Sequence, residues 1–206
     1  MIPVEIPKQV KIVAATKYVE SLEMRKLYQE GICDFGENRT DSFLKKYEEL
    51  KDLKVIWHFI GHLQRNKAKD VLNKIEYLHS LDSYKLALEI EKRRIEPLKC
   101  LIEINLSKED TKSGISYEEL DLFINKLLPL EKVKLVGLMT MTPKEATKNQ
   151  KYEQFKRLKS ILDELNLKYH LNMKELSMGM SDDYKEAIKA GATMVRLGRI
   201  LWTRKN

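Results

Sequence analysis

Lys17 follows the mostly apolar run Val10-Lys-Ile-Val-Ala-Ala15 and Thr16, so it stands where a buried strand would end. An amine there can condense with an aldehyde to form an imine, but only in its neutral form. A free lysine has a pKa of about 10.4. Desolvation and nearby cations lower that value, and Arg196 or Arg199 could supply the cation. Ser177, Ser181, Gly198 and the adjoining backbone N–H groups are suited to a phosphate, with Gly198 allowing close backbone approach. Spacing alone leaves alternatives open. A lysine can snorkel outward along its own stem. Arg196, between Val195 and Leu197, needs an acceptor only if it faces inward.

These residues need elements to bring them together. Eight short runs rich in apolar and β-branched residues recur: Val10 to Ala15, Ile32 to Phe35, Val55 to Ile60, Tyr77 to Leu81, Cys100 to Ile104, Val133 to Leu138, Glu175 to Ser177 and Thr193 to Leu197. Amphipathic stretches alternate with them. Leu120, Phe123, Ile124, Leu127 and Leu128 follow the helical period, as do Tyr152, Phe155, Leu158, Ile161, Leu162 and Leu165. Ser116 with Glu119 predicts a capping box, Ser181 an N-cap, and Gly191 a left-handed C-cap. Pro97 and Pro129 stop two further helices. Alternating strands and helices imply parallel strands with right-handed crossovers, and eight units predict a (β/α)8 TIM-type barrel, one domain over residues 1–206. Only seven helices are clear, because Arg199 to Asn206 is all that follows the last strand. The alternative is an open doubly wound sheet; its usual Gly-rich first turn is replaced here by Thr16-Lys17-Tyr18.

In such a barrel, function gathers on the loops after the strands, with phosphate at the seventh and eighth. That rim collects Lys17, Asn38, the loop from Gly61 to Lys67, Asp82, Asn105, Ser113-Gly114, Thr140, Ser177 to Asp183 and Arg196 to Arg199. An imine-forming amine beside a phosphate cradle matches the two handles of pyridoxal 5'-phosphate (PLP). His58 and His62 straddle a strand end without an HExxH pattern, so they predict structural or lining roles and no metal site. No Ser/His/Asp arrangement stands out. Cys33 and Cys100 are predicted to be buried, reduced thiols. No run of about 18 apolar residues exists, and Met1 to Lys8 lacks a signal-peptide layout, so a cytoplasmic protein without a membrane span is expected. The net charge of +7 is spread along the chain; its densest patch, Lys92-Arg93-Arg94, predicts a solvated helix face more than a nucleic-acid site.

Thr16-Lys17, Phe35-Gly-Glu-Asn38, Trp57-His-Phe-Ile-Gly61, Ser113-Gly114, Gly137-Leu-Met-Thr140, Leu176-Ser-Met-Gly-Met-Ser-Asp-Asp183 and Met194-Val-Arg-Leu-Gly198 together resemble the pyridoxal phosphate homeostasis protein family over nearly the whole chain. The resemblance implies an alanine-racemase-like barrel with PLP on Lys17. It places Arg196 near the pyridine nitrogen, Ser177 with the backbone of Gly198 and Arg199 near the phosphate, and Asn38 in the pocket lining; Met178, inside the Ser-Met-Gly-Met block, counts among the cofactor-binding residues. It also implies a PLP-holding protein without efficient turnover, with PLP-dependent apoenzymes as expected partners; a monomer is expected. An amino-acid racemase is the alternative. The family's usual N-terminal helix before the first strand is missing, which predicts a less stable barrel. Thr40-Asp41-Ser42 replaces the usual Val-Gln-Glu and is expected to bear on the outer surface.

Overall fold

The computed structural model describes residues 5–106 and 113–202. The first four residues of the Met1 to Lys8 segment and the last four of the Arg199 to Asn206 tail lie outside them. Eight parallel strands close on themselves: β1 (Lys11–Ala15), β2 (Asp34–Glu37), β3 (Ile56–Phe59), β4 (Tyr77–Leu81), β5 (Leu98–Glu103), β6 (Val133–Met139), β7 (Glu175–Ser177) and β8 (Met194–Leu197). Closure is direct, since β8 pairs with β1 in the register Val13↔Arg196 and Ala14↔Leu197. The open-sheet alternative is thereby excluded. The second strand runs two residues later than the apolar pattern predicts, because Gly36 and Glu37 continue the pairing with His58 and Phe59.

Helices α1 (Ser21–Gln29), α2 (Thr40–Glu49), α3 (Ala68–Val71), α4 (Tyr84–Arg93), α5 (Leu120–Leu127), α6 (Lys148–Tyr169), α7 (Tyr184–Lys189) and α8 (Arg199–Trp202) follow the strands in order. The short α8 supplies the eighth unit that the sequence leaves uncertain, and its Trp202 indole N–H donates to the Ala15 carbonyl at 3.2 Å. It thus latches the end of β8 to the end of β1. Among the described residues no helix precedes β1.

Side-chain alternation divides the apolar residues into two layers. Most form one core between the strands and the helices, including Phe35, Phe43, Ile102, Ile124, Phe155, Leu158 and Ile161. The α6 stripe lies in this layer, and each such side chain contributes roughly 1.5–3 kcal/mol relative to exposure. A smaller cluster of Val13, Tyr77, Leu101, Met139 and Met194 fills the barrel interior.

Several local expectations are corrected. Leu128 is 47% exposed, because it caps α5 after the buried face has ended at Leu127. The Ser116–Glu119 pair closes a turn ahead of α5, whose N-cap is Glu119 itself, so the predicted box does not cap the helix. Ser181 is not the N-cap of α7. That position belongs to Asp183, whose carboxylate accepts the Met180 N–H and the Thr142 hydroxyl. Gly191 has the predicted left-handed conformation, with φ at 97°. Cys100 is buried, whereas Cys33 is only partly so; both are free thiols.

Candidate functional site at the barrel mouth

Lys17 lies in the loop just beyond β1, exposed, with its ammonium 4.7 Å from the centroid of the Tyr18 ring. The apolar run before it suggests a stem flanked by the barrel, whereas the side chain is exposed. The residues around it are held rigidly from below. Thr16 is fully buried; its N–H donates to the Gly36 carbonyl and its hydroxyl to Glu37 Oε1. Lys46, reaching in from α2, donates to the Thr16 carbonyl at 2.6 Å and to Glu37 Oε1 at 2.5 Å. Glu37 Oε2 accepts the Asn38 N–H at 2.9 Å, and Ser42 adds its hydroxyl to Oε1. One buried ion pair thus clamps the backbone beside both Lys17 and Asn38. Ser42, expected at the outer surface, is part of this clamp. Burying two charges is tolerable here because each is hydrogen-bonded as well as paired.

Asn38 is further fixed by Gly61. A Cβ at Gly61 would fall 2.4 Å from the Asn38 carbonyl oxygen, so only glycine lets the β2 and β3 ends approach so closely. The Asn38 side-chain oxygen is buried and has no hydrogen-bond partner. Buried acceptors are normally satisfied, so this one is suited to receive a donor from a bound molecule.

Arg196 faces the barrel interior. Its guanidinium donates to Ser177 Oγ at 2.7 Å, to the Ser177 carbonyl at 2.8 Å and to the Thr140 carbonyl at 3.0 Å. Burial pushes its pKa down to about 10, against the opposing charges of Glu103 and Asp183. It is still a cation at neutral pH. Ser177 Oγ is engaged on its other side by His79 at 2.8 Å. Ser181 Oγ, by contrast, is only 3.4 Å from the Gly198 N–H, a long and loosely held contact. A Cβ built on Gly198 would meet Ala15 at 3.8 Å, an ordinary van der Waals contact, so no steric demand for glycine arises there. Arg199 extends into an exposed ion pair with Asp182 at 3.0 Å. Met178 alternates with the inward Ser177; its fully buried side chain belongs to the outer core and does not face the mouth.

Two further carboxyls stand in a row: Glu103, whose charge acts on Arg196, and Asp82, whose charge acts on Glu103. Burial pushes Glu103 above its ordinary value, only partly offset by the Ser113 hydroxyl it accepts at 2.7 Å. Asp82 pairs with His62 at 2.6 Å, while its buried Oδ1 has no partner. Sequence reasoning gave His58 a structural or lining role but missed its connections: Asp34, His58, His79 and Ser177 do form a connected Ser/His/Asp series, inside the barrel. Period-two alternation from β2, β3, β4 and β7 could have flagged them. Among the described residues, no group of three or more His, Cys, Asp or Glu is arranged to hold a metal ion.

Comparison with known proteins agrees with the fold. Residues 5–205 match the family described as "Alanine racemase, N-terminal domain". A pyridoxal phosphate homeostasis protein from Aquifex aeolicus is 43% identical over 195 residues, covering 93% of this chain and 86% of that protein. The chain belongs to the pyridoxal phosphate homeostasis protein family. A solved structure of another protein of this kind, PipY of Synechococcus elongatus with PLP bound, superposes with a TM-score of 0.92 at 30% identity, covering 97% of this chain and 95% of that one. Alanine racemase from Clostridium difficile shares the fold, with a TM-score of 0.79 at 17% identity, and this chain spans 53% of its length. The homeostasis family thus accounts for nearly the whole chain, and the racemase likeness for the barrel alone.

Proposed function

We propose that this chain binds PLP covalently through Lys17 and takes part in its homeostasis, holding the reactive aldehyde and releasing it to PLP-dependent apoenzymes. The observation that carries this reading is the β1–β8 junction. There the loop bearing Lys17 adjoins the Gly198 backbone, whose N–H is only loosely held by the Ser181 hydroxyl. The PLP-bound relative of the same fold supports it. The residues fit the group: a solvent-reachable amine, an orphaned buried acceptor on Asn38, a cation on Arg196 and a weakly engaged N–H on Gly198. When bound, PLP supplies an aldehyde that condenses with a neutral amine, with loss of water.

In this arrangement Lys17 provides the amine and Asn38 lines the ring. Ser181 and the backbone of Gly198 and Arg199 receive the phosphate. Ser177 acts through Arg196, since its hydroxyl is already spent on that guanidinium and on His79. Arg196 faces the pyridine nitrogen. A cation there disfavours ring protonation and weakens the ring as an electron sink. This favours a holder over an efficient racemase, acting inside the cell where PLP enzymes work.

The test is an absorbance spectrum after adding PLP and removing the excess. A visible imine band, trapped by borohydride on Lys17 and absent in Lys17→Ala, is the expected result. A band unchanged by the substitution would place the linkage elsewhere. Alanine racemization lost in the same variant would favour the racemase reading instead.

A further inference from the structure

The interior of a parallel barrel is ordinarily packed with Val, Ile and Leu. Here five polar side chains, one from each of five strands, touch in series through it. Arg196 Nη1 donates to Ser177 Oγ at 2.7 Å, and Ser177 Oγ is 2.8 Å from His79 Nδ1. His79 Nε2 is 2.8 Å from His58 Nδ1, and His58 Nε2 is 2.8 Å from Asp34 Oδ1. Asp34 opens β2 at the floor, where Lys11 approaches it at 3.5 Å. Arg196 lies near the mouth end of β8.

The two ends of this series dictate every proton between them. An arginine can only donate, and an ionised carboxylate can only accept. His58 therefore carries its proton on Nε2, toward Asp34. Its Nδ1 must then accept the Nε2–H of His79. His79 Nδ1 in turn accepts the Ser177 O–H, which turns a Ser177 lone pair toward Arg196. One arrangement satisfies every member, with both imidazoles neutral.

The surroundings agree. His58 faces Asp34, Lys11 and Glu175, and stacks on the Tyr77 ring at 4.5 Å. His79 faces His58, Arg196 and Lys11. Burial, the largest influence on each, draws both rings toward the neutral form. Burial works against ionisation of Asp34, but the hydrogen bond and charge of His58, with Lys11, hold its carboxyl below the ordinary value.

We propose that Asp34, His58 and His79 are positioning residues for Arg196, forming a polarised hydrogen-bonded column from barrel floor to mouth that locks the guanidinium facing the cofactor. The two Arg196 bonds to backbone carbonyls are fixed by the fold. Its bond to Ser177 Oγ is the adjustable one, and His79 decides which way that hydroxyl points. The cofactor in this statement rests on the function proposed above; the column does not.

The experiment compares wild type, His79→Leu and His79→Gln, using PLP as the probe. Leucine fills the space but cannot accept from Ser177. Glutamine can accept with Oε1 and donate with its amide, preserving the polarity of the column. His79→Leu is expected to bind PLP about tenfold more weakly or worse and to shift the pH midpoint of the imine band. His79→Gln should restore both toward wild type. Wild-type spectra and titrations in a folded His79→Leu protein, or equal impairment in the two variants, would overturn the proposal.

A nitrogen-15 imidazole spectrum of the PLP-free protein tests the column separately. Both rings should be protonated on Nε2 only at neutral pH. A proton on Nδ1 of either ring would overturn the column even if PLP binds. If wild type takes up no PLP, the functional reading falls, and the column is judged by this spectrum alone.

Discussion

Single side chains at the mouth have environments that their neighbours in sequence do not reveal. Lys17 follows an apolar run yet is exposed, whereas Arg196 between two apolar residues is buried with three acceptors. The buried histidines make a prediction at this scale. Burial leads the influences that hold His58 and His79 below the ordinary value of 6.5. A depressed folded-state pKa gives stability that is present above the unfolded value and lost as pH falls toward the folded one. In that window the unfolded chain takes up protons that the native state refuses. Each histidine contributes a slope of about 1.4 kcal/mol per pH unit. Stability should therefore begin to fall as pH drops through about 6.5 and steepen further below it, toward that limiting slope for each ring that stays neutral. Urea unfolding at a series of pH values checks this. His79→Gln should remove about half of the slope, and a flat profile in wild type would contradict neutral buried rings.

At the scale of elements, the β1 and β2 ends are held by α2 through Lys46. Thr16, Glu37 and Lys46 together keep the Lys17 loop on its strand. Lys46→Met should cost about 3–5 kcal/mol, because it leaves the buried Glu37 carboxylate without its cation. Adding Glu37→Gln should recover part of that loss. Thermal or urea unfolding of the single and double variants measures it, and a near-neutral single variant would mean that water reaches Glu37. Gly61→Ala carries a second expectation: its methyl group would collide with Asn38 backbone, pushing the β2 and β3 ends apart. PLP uptake should weaken more than stability does. The partnership of Lys46 on α2 with a glutamate nine residues earlier is a product of strand–helix packing, which local periodicity does not carry.

The whole molecule is a closed ring in which the first and last strands meet, so ligand binding at that seam should stabilise the entire barrel. PLP at a hundredfold excess over its dissociation constant should add about 2.7 kcal/mol, or roughly 5–11 °C in the thermal midpoint of a chain this size. Lys17→Ala should lose much of that increment while melting near the unliganded wild type, since Lys17 is an exposed loop residue. An equal PLP-induced rise in both proteins would detach the effect from Lys17. The matching relatives span nearly the same length of barrel, and α8 with Trp202 is the latch that joins its ends.

The sequence by itself determined the alternation of strands and helices, hence the parallel barrel, and the rim on which Lys17, Asn38, Ser177, Gly198 and Arg196 gather. Those follow from local periodicity and from the rule that strand ends share a face. The specific blocks from Trp57 to Gly61 and from Leu176 to Asp183 carried the family. Tertiary structure alone decided which way each strand residue points and which distant groups meet. It turned Met178 outward and Ser177 inward, gave the Gly198 contact to Ser181, and aligned Asp34, His58, His79 and Arg196 from strands far apart in the chain. Strand registers and the closure of β8 on β1 fix those meetings, and a one-residue slip would reverse every side chain.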